Sequence, residues 1–202
     1  MTETNMSTSN PYRGNRIAGT IGKPLPGIEI RITDRVTGEV LPDGDIGVIE
    51  QRGDNIFSGY WEMPEKTREA FTTDNFFITG DLAKLDKNGY LTLVGRDSDM
   101  IISGGLNVYP KEVENLIDEI DEVLESAVIG VPHPDLGEGV IAVVVLKVKM
   151  IDLKKIQNTL QPKLAKFKQP KFITFVENLP RNAMGKVQKA ALRKQYKEIF
   201  KS

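Results

Sequence analysis

The sequence of 202 residues contains no cysteine and only one histidine. The absence of cysteine excludes disulfide bonds, thiolate metal sites and a thiol nucleophile, and it fits a reducing compartment. The first twenty residues are polar and lack the basic start and the apolar stretch of a signal peptide. The longest apolar run, residues 140–146, is far too short to cross a bilayer and predicts a buried strand. We therefore expect a cytoplasmic protein without a membrane partner.

Charge is unevenly distributed along the chain, although the formal net charge is only −1. Residues 147–202 contain 15 lysines and arginines against 3 acidic residues, whereas residues 1–146 contain 12 against 25. The basic stretch is either a solvated face of amphipathic helices or a surface for a phosphate-rich partner, namely a nucleotide, CoA or nucleic acid. Nucleic acid is the least favoured partner of this stretch. Its aromatic residues are spaced as in a buried core, and no nucleic-acid recognition motif accompanies them.

The first ninety-odd residues are predicted to be mostly β-structure. Apolar and polar residues alternate in four short segments separated by turn residues. The predicted strands are 27–34, 46–51, 81–86 and 90–94. The last two flank Lys-Asn-Gly at 87–89, which is typical of a hairpin because Asn and Gly tolerate positive φ. A short helix is expected at 64–71, where proline occupies the first turn.

From Gly95 onward, strands alternate with helices, a pattern typical of a small α+β domain. The predicted strands are 100–103, 126–131, 140–148 and 171–176, and the predicted helices are 110–120, 151–167 and 187–200. The charged segment 95–99 lies where the composition changes. We therefore predict an α+β fold in which an antiparallel β-rich part, residues 1–96, is followed by a small α+β domain, residues 97–202.

A glycine-lysine pair at 185–186 precedes the last predicted helix. A lysine on a flexible glycine turn can reach into a cleft and place a compact positive charge between two anionic oxygens. The same pair is also common on ordinary surfaces, so the residue types alone leave both interpretations open. His133 lies between two prolines and is predicted to be a turn residue, not a base or ligand. Trp61 and the phenylalanines at 76–77 are interpreted as core or interdomain packing.

Three signatures follow one another in the sequence. They are Phe-Ile-Thr-Gly-Asp at 77–81; Gly-Arg-Asp-Ser-Asp at 95–99, with Gly-Gly at 104–105 and Glu-Val-Glu at 112–114; and Pro-Arg-Asn at 180–182 with Gly-Lys at 185–186. In this order they make the chain resemble the C-terminal part of the adenylate-forming, or AMP-binding, enzymes. Met-Thr-Glu at 1–3 matches the end of the Tyr-Gly-x-Thr-Glu motif of that family. The Thr-Glu-Thr-Asn opening and residues 107–112 look most like malonyl-CoA synthetases.

The resemblance implies an acyl-CoA synthetase that uses ATP, Mg²⁺ and CoA and acts on a small-molecule carboxylate. In this family the carboxylate attacks the α-phosphate of ATP and leaves an acyl-AMP, from which the CoA thiolate then displaces AMP. The resemblance assigns Asp81 and Arg96 to the ribose, where an acceptor-only carboxylate suits two hydroxyl donors. It assigns Thr2 to the α-phosphate and Glu3 to Mg²⁺, which prefers oxygen ligands. Each residue also has an ordinary interpretation. Asp81 would cap a turn, Arg96 would form a surface ion pair, and Thr2 and Glu3 would belong to a frayed terminus.

The resemblance also makes Lys186 the adenylation lysine, which bridges the attacking carboxylate and the α-phosphate. It implies that the small domain rotates between the two half-reactions, withdrawing Lys186 and bringing Gly104 and Gly105 over the site as a channel for pantetheine. An ordinary glycine turn is the alternative for that pair. Ser98 aligns with the hinge position, where the family usually has Asp or Lys, so the sequence departs from the pattern there.

The resemblance places the phosphate loop and the acyl pocket of the family before Thr2, and the sequence contains no Gly-rich nucleotide loop. We therefore expect a C-terminal fragment that is inactive alone. Three classes of function stay open. In the first, the chain is the lid-and-hinge part of an acyl-CoA ligase and works with an N-terminal partner chain if the enzyme is split. In the second, it is an anion- or nucleic-acid-binding module. In the third, it is an inactive remnant.

Overall fold

The structure, a computed structural model, describes residues 1–201. The chain forms two compact units, of which the first is Met1–Ser98 and the second begins at Asp99. Each unit contains its own sheet, antiparallel in the first unit and mixed in the second, and its own hydrophobic core. The predicted α+β fold class, with antiparallel strands and short helices, is confirmed. None of the helices within residues 1–201 is long and apolar enough to cross a bilayer.

The first unit is built on a four-stranded antiparallel sheet with the order β3-β4-β5-β6. Its elements are β1 (Thr8–Ser9), β2 (Lys23–Pro24), β3 (Glu29–Thr33), β4 (Ile46–Arg52), α1 (Pro64–Glu69), β5 (Phe77–Leu85) and β6 (Leu91–Arg96). The predicted hairpin joins β5 to β6, and the Asp86 carboxylate closes it by accepting from the backbone N–H groups of Asn88 and Tyr90. This turn fixes the register of the two strands on which the first candidate residues lie.

Two apolar groups support this sheet. Ile32, Ile49, Ala83 and Leu91 form the core on one face. Elsewhere in the unit Phe57, Phe71 and Phe77 contact one another with ring centroids 5.2 to 5.8 Å apart. Phe76 and Phe77 are buried, as predicted, but Trp61 is 87% exposed. Of the two alternatives predicted for Trp61, packing in the core is wrong, because the residue lies on the exposed loop before α1, and interdomain packing stays a prediction.

The second unit is a five-stranded sheet flanked by helices on both faces. Its elements are β7 (Ile101–Ser103), β8 (Leu106–Val108), α2 (Pro110–Asp118), β9 (Val123–His133), β10 (Gly137–Leu146), α3 (Leu153–Leu160), β11 (Phe172–Val176) and α4 (Lys189–Gln195). Strand β10 pairs with β9 and β7 in antiparallel fashion and with β11 in parallel fashion. All of its apolar residues at 140–145 are buried, which explains why the sequence shows a continuous apolar run there.

Alternate residues of β9 and β10 serve two different cores. Val140, Ala142 and Val144 face α2 and α3, whereas Ile141, Val143 and Val145 face α4 and the chain before it. The alternation of side chains along a strand produces this division. As a result, the segment that carries α4 and the residues preceding it is packed directly on the sheet.

Both long helices predicted in this unit are shorter in the structure. Helix α3 ends at Leu160 rather than at residue 167, because Pro162 has no N–H to continue the helical hydrogen bonds. Helix α4 ends at Gln195, and turns follow in which bonds join residues three apart, such as Ile199 to Tyr196. His133 is the last residue of β9, where its Nδ1 accepts from the backbone N–H of Asp135 at 3.2 Å as the chain turns toward β10.

Candidate functional site

Asp81 and Arg96 lie opposite each other on neighbouring strands. They are paired residues in the register of β5 and β6, next to an irregularity between Leu82 and Ala83. Arg96 Nε lies 2.8 Å from Asp81 Oδ1, and the two side chains are 49% and 22% exposed. The structure therefore brings together, as one ion pair, the two residues that the sequence assigned to the ribose.

The backbone around Asp81 is held by buried hydrogen bonds. The Thr79 hydroxyl donates to the Ile49 carbonyl at 2.9 Å and accepts from the Asp81 N–H at 3.0 Å. Asp81 and Thr79 line a cavity of about 240 Å³ in the first unit. Met1 and Thr4, which flank Thr2 and Glu3 in the sequence, line the same cavity. Residues of the N-terminal segment and Asp81 therefore line one cavity, whereas Thr2 and Glu3 themselves are not among its lining residues.

The N-terminal segment is attached to the first unit rather than frayed. The Phe57 N–H donates to the Glu3 carbonyl at 2.8 Å, and the Asn55 side chain donates to the Thr4 carbonyl at 2.6 Å. The Thr2 hydroxyl donates to Glu3 Oε2 at 3.1 Å, and the Tyr60 hydroxyl lies 3.4 Å from Glu3 Oε1. Sequence reasoning missed Tyr60, because nothing in the local pattern shows that the loop at 53–60 packs beside residues 2–4.

Glu3 is suited to hold a cation. Its pKa lies below the usual range of a glutamate, chiefly because its own backbone N–H donates to the carboxylate, with further donation from Thr2 and Tyr60. Burial raises the pKa of Tyr60, as does the neighbouring negative charge of Glu3. Within residues 1–201 no group of three or more acidic or histidine side chains could enclose a metal ion. A single carboxylate is nevertheless a fitting donor for Mg²⁺, which takes most of its other ligands from substrate phosphates and water.

Gly104 and Gly105 form the two-residue turn between β7 and β8. Ser103 pairs with Leu106, and the glycines have φ of +60° and +77°. Two consecutive residues with positive φ make a type I′ turn, a conformation in which most side chains would be strained. The Gly104 N–H donates to the Leu136 carbonyl at 2.8 Å, which ties the tip to the turn between β9 and β10. The pair is a fixed, bare backbone surface on the second unit.

Lys186 lies on a tight hairpin formed by residues 181–187, which we term the lysine hairpin. The Asn182 side chain accepts from the backbone N–H groups of Met184 and Lys186 at 3.0 and 2.9 Å. The Asn182 N–H donates to the Lys186 carbonyl at 3.0 Å. Lys186 is exposed. The predicted glycine turn is thus part of a hairpin whose backbone is closed by hydrogen bonds, and the long side chain of Lys186 supplies the reach.

In the part of the chain that the structure describes, seven of the 15 lysines and arginines of the basic stretch, residues 147–202, form ion pairs within their own unit. Residues 99–202 contain 16 lysines and arginines and 13 acidic residues, so that the unit as a whole is only weakly positive. Six pairs join the stretch to acidic residues earlier in the unit: Lys155–Glu122, Lys163–Glu119, Lys168–Glu112, Arg181–Glu125, Lys189–Glu114 and Arg193–Asp99. This pairing gives these six basic residues a structural role within the second unit.

Two families match the chain. The family described as AMP-binding enzyme matches residues 1–61, and the AMP-binding enzyme C-terminal domain matches residues 112–186. Among similar proteins, a malonate–CoA ligase of Arabidopsis thaliana is 38% identical over 96% of this chain and 33% of its own length. A probable CoA ligase of Humulus lupulus is 39% identical over 96% of this chain and 34% of its own length. The chain thus spans about a third of the length of these relatives.

Solved structures give the same answer for the fold. The crystal structure of ATP-bound MatB from Rhodopseudomonas palustris is 58% identical, with a TM-score of 0.93 over all of this chain and 40% of that chain. The anthranilate CoA ligase AuaEII in complex with anthranoyl-AMP is 34% identical, with a TM-score of 0.89 over 98% of this chain and 39% of that chain. The resemblance to adenylate-forming enzymes, with malonyl-CoA synthetases among the most similar, is confirmed. The chain belongs to the AMP-binding enzymes, and it matches their C-terminal part.

Proposed function

We propose that the chain provides the C-terminal part of an ATP-dependent acyl-CoA ligase. The observation that carries this proposal is the Asp81–Arg96 pair at the edge of a cavity that is also lined by the N-terminal segment. In this proposal the pair offers a carboxylate and a guanidinium to one sugar, and Thr2 and Glu3, adjacent in sequence to the lining residues Met1 and Thr4, serve the phosphates. The family match supplies the reaction class.

In the first half-reaction a carboxylate oxygen of the acyl substrate bonds to the α-phosphorus of ATP, and the bond to the bridging oxygen of the β-phosphate breaks. Pyrophosphate leaves and an acyl-AMP forms. Asp81 accepts hydrogen bonds from the ribose hydroxyls while Arg96 holds its carboxylate in place. Thr2 donates its hydroxyl to the α-phosphate. Lys186 places its ammonium group between the attacking carboxylate and the α-phosphate, where negative charge is concentrated in the transition state.

Glu3 is the residue that would hold Mg²⁺ in this proposal. Its carboxylate is ionised at neutral pH, since its pKa lies below the usual range of a glutamate, and Tyr60 orients it. The ion, when bound, neutralises phosphate charge and helps pyrophosphate to leave. The contribution of this chain is to orient the Glu3 carboxylate toward the ion.

In the second half-reaction the CoA thiolate attacks the acyl carbonyl carbon, and AMP leaves. We assign the Gly104–Gly105 turn to the pantetheine channel, because its bare backbone lets a ligand approach closely. In this proposal residues 1–96 are the end of the AMP-binding domain and residues 97–202 are a lid that rotates about Ser98. The boundary between the compact units, after Ser98, is compatible with that hinge.

Malonate is the acyl substrate that the comparisons favour. One relative is named a malonate–CoA ligase and is 38% identical. The residues assigned above contact the nucleotide, the metal and CoA, so the choice of the acyl group rests on that similarity. We further propose that the chain needs an N-terminal partner segment for catalysis, because its own residues supply ribose contacts and one mobile cation but no glycine-rich loop for the β- and γ-phosphates.

The decisive experiment separates the two half-reactions. The purified chain alone should show no ATP–pyrophosphate exchange with malonate, and a separately expressed N-terminal part of a related synthetase should restore it on mixing. In the restored assembly, Lys186→Ala should reduce acyl-AMP formation by about 10²–10³-fold, the typical loss for one preorganised donor. Thioester formation from supplied acyl-AMP should stay largely intact, because Lys186 is withdrawn in that step.

Lys194→Ala is the matched control, since Lys194 is an exposed lysine of the nearby helix α4. It should leave both half-reactions unchanged. Equal loss of both half-reactions in Lys186→Ala would contradict the alternating role of the lysine. Exchange by the chain alone would contradict the need for a partner segment.

A further inference from the structure

The base of the lysine hairpin is anchored in the core of the second unit. Arg181 and Val187 form an antiparallel bridge, and the Gln188 N–H donates to the Pro180 carbonyl at 2.7 Å. Leu179 is buried and Val187 packs against the same core. The two ends of the hairpin are therefore fixed, and the remaining freedom lies in its tip, residues 183–186.

Arg181 links that tip to the sheet. Its Nη1 donates to the Gly185 carbonyl at 2.6 Å, and its Nη2 is paired with the Glu125 carboxylate. Gly185 is the residue directly before Lys186. A guanidinium can hold two acceptors at once because its N–H groups form a rigid planar fork, whereas the ammonium group of lysine is a single point. The side chain of Arg181 thus connects the hairpin tip to a carboxylate outside the hairpin.

Glu125 provides a rigid attachment point. It lies on β9 and is paired in register with Val145 of β10, the strand that is buried on both faces. Strand β9 pairs with β10, which itself lies between β9 and β11, and strands in the middle of a packed sheet open least readily in a folded protein. The connection therefore runs from the sheet through Glu125 and Arg181 to the peptide group that precedes Lys186.

We infer that Glu125 and Arg181 form a clamp that positions the lysine hairpin, so that Lys186 is delivered by a rigid element. Both are positioning residues, since they act through the Gly185 peptide. The chemical consequence rests on the proposed function of Lys186, whereas the clamp itself rests on geometry. A displacement of a reacting group by about 1 Å can cost on the order of 10²-fold in rate. Loss of the clamp should accordingly slow only the half-reaction that uses Lys186.

The first test measures the clamp in the chain as it is, without catalysis. Amide hydrogen exchange at Gly185 and Lys186, followed by NMR, should become about 3- to 10-fold faster in Glu125→Gln and in Arg181→Lys, the range expected for a partly exposed charged hydrogen bond. Glu122→Gln is the matched control. It removes a similar carboxylate just before β9 that pairs with Lys155 on α3 instead, so exchange in the hairpin should not change.

The second test uses an assembly that carries out both half-reactions. Glu125→Gln and Arg181→Lys should lower kcat for acyl-AMP formation by roughly 10-fold, with the KM for ATP and the thioester half-reaction unchanged. Unaltered exchange at Gly185 and Lys186 would overturn the clamp, whatever the activity. Faster exchange with unaltered acyl-AMP formation would establish the clamp and count against the role proposed for Lys186, so the two ideas fail in different ways.

Discussion

At the scale of single residues, each candidate is held by a specific neighbour, which is close in the sequence for Asp81 and Lys186 and far away for Glu3. Tyr60 orients Glu3, Thr79 holds the backbone of Asp81, and Asn182 closes the hairpin of Lys186. Asn182 and Thr79 lie within sequence signatures and could be suspected from them. Tyr60 could not, because its contact with Glu3 depends on a loop packing that has no local pattern.

Among the ion-paired residues of the second unit, Glu114 is the one whose replacement should lower the free energy of unfolding most. Its side chain is nearly buried on α2, accepts from the Val128 N–H at 2.9 Å and pairs with Lys189 at the start of α4. Glu114→Ala should lower the free energy of unfolding by about 2–4 kcal/mol, because it leaves a mostly buried ammonium group and a buried N–H without partners. Urea denaturation of the chain would measure the loss.

The control for this prediction is Glu119→Ala. Glu119 pairs with Lys163, but the two side chains are 61% and 49% exposed. Exposed pairs of this kind contribute at most about 1 kcal/mol. Equal losses of stability in the two variants would show that burial is not what makes the Glu114 contact strong.

At the scale of elements, strands were predicted better than helix ends. The hairpin at 87–89 and the strand at 140–146 follow from turn chemistry and from a continuous apolar run, which are local signals. The ends of α3 and α4 depend on Pro162 and on how Phe200 packs against the second core. Trp61 shows the same limit, since an isolated aromatic residue in the sequence does not reveal whether anything covers it.

A network of charges joins β3, β4 and the turn before β5. Arg31 donates to both Asp74 oxygens at 2.6 and 3.0 Å and to Glu50 at 2.7 Å. The Arg31 guanidinium stacks over Phe76 at 3.9 Å from the ring centre. Donation from Arg31, and then from Thr72, holds the pKa of Asp74 well below its usual range. The network therefore links stability of the first unit to pH.

The sign of that dependence follows from the lowered pKa. A carboxylate with a depressed folded pKa stabilises the fold above its unfolded pKa, about 3.9 for aspartate, and this contribution is lost as pH falls further through the folded value. Asp74→Asn should thus be less stable than the parent throughout pH 5 to 8, and the difference should vanish only in strong acid. Urea unfolding followed through the amide resonances of β3 and β4 would measure it.

Asp43→Asn serves as the control for this pH dependence. Asp43 is exposed, and within residues 1–201 its side chain makes no hydrogen bond or ion pair. The substitution should leave unfolding unchanged at every pH. A difference between Asp74→Asn and the parent that already shrinks between pH 8 and 5 would contradict a depressed pKa.

At the scale of the whole molecule, each unit carries its own core, and this has a testable consequence for folding. All residues of the two cores of the second unit lie between Ile101 and Phe200, and those of the first unit's core lie between Ile21 and Leu91. A unit of this size buries enough apolar surface to fold without a partner. We therefore predict that residues 99–202, expressed alone, fold cooperatively.

The test compares the isolated second unit with the full chain. Amide resonances of β9 and β10 should overlay in the two spectra, since these strands are packed between α2, α3 and α4 of the same unit. The free energy of unfolding of residues 99–202 should lie within about 1 kcal/mol of the value for the same strands in the full chain, because no core contact is removed. A poorly dispersed spectrum would mean that the second unit draws its stability from residues 1–98. A second unit that folds by itself can move as one body, which is what the proposed entry and exit of Lys186 at a nucleotide site requires.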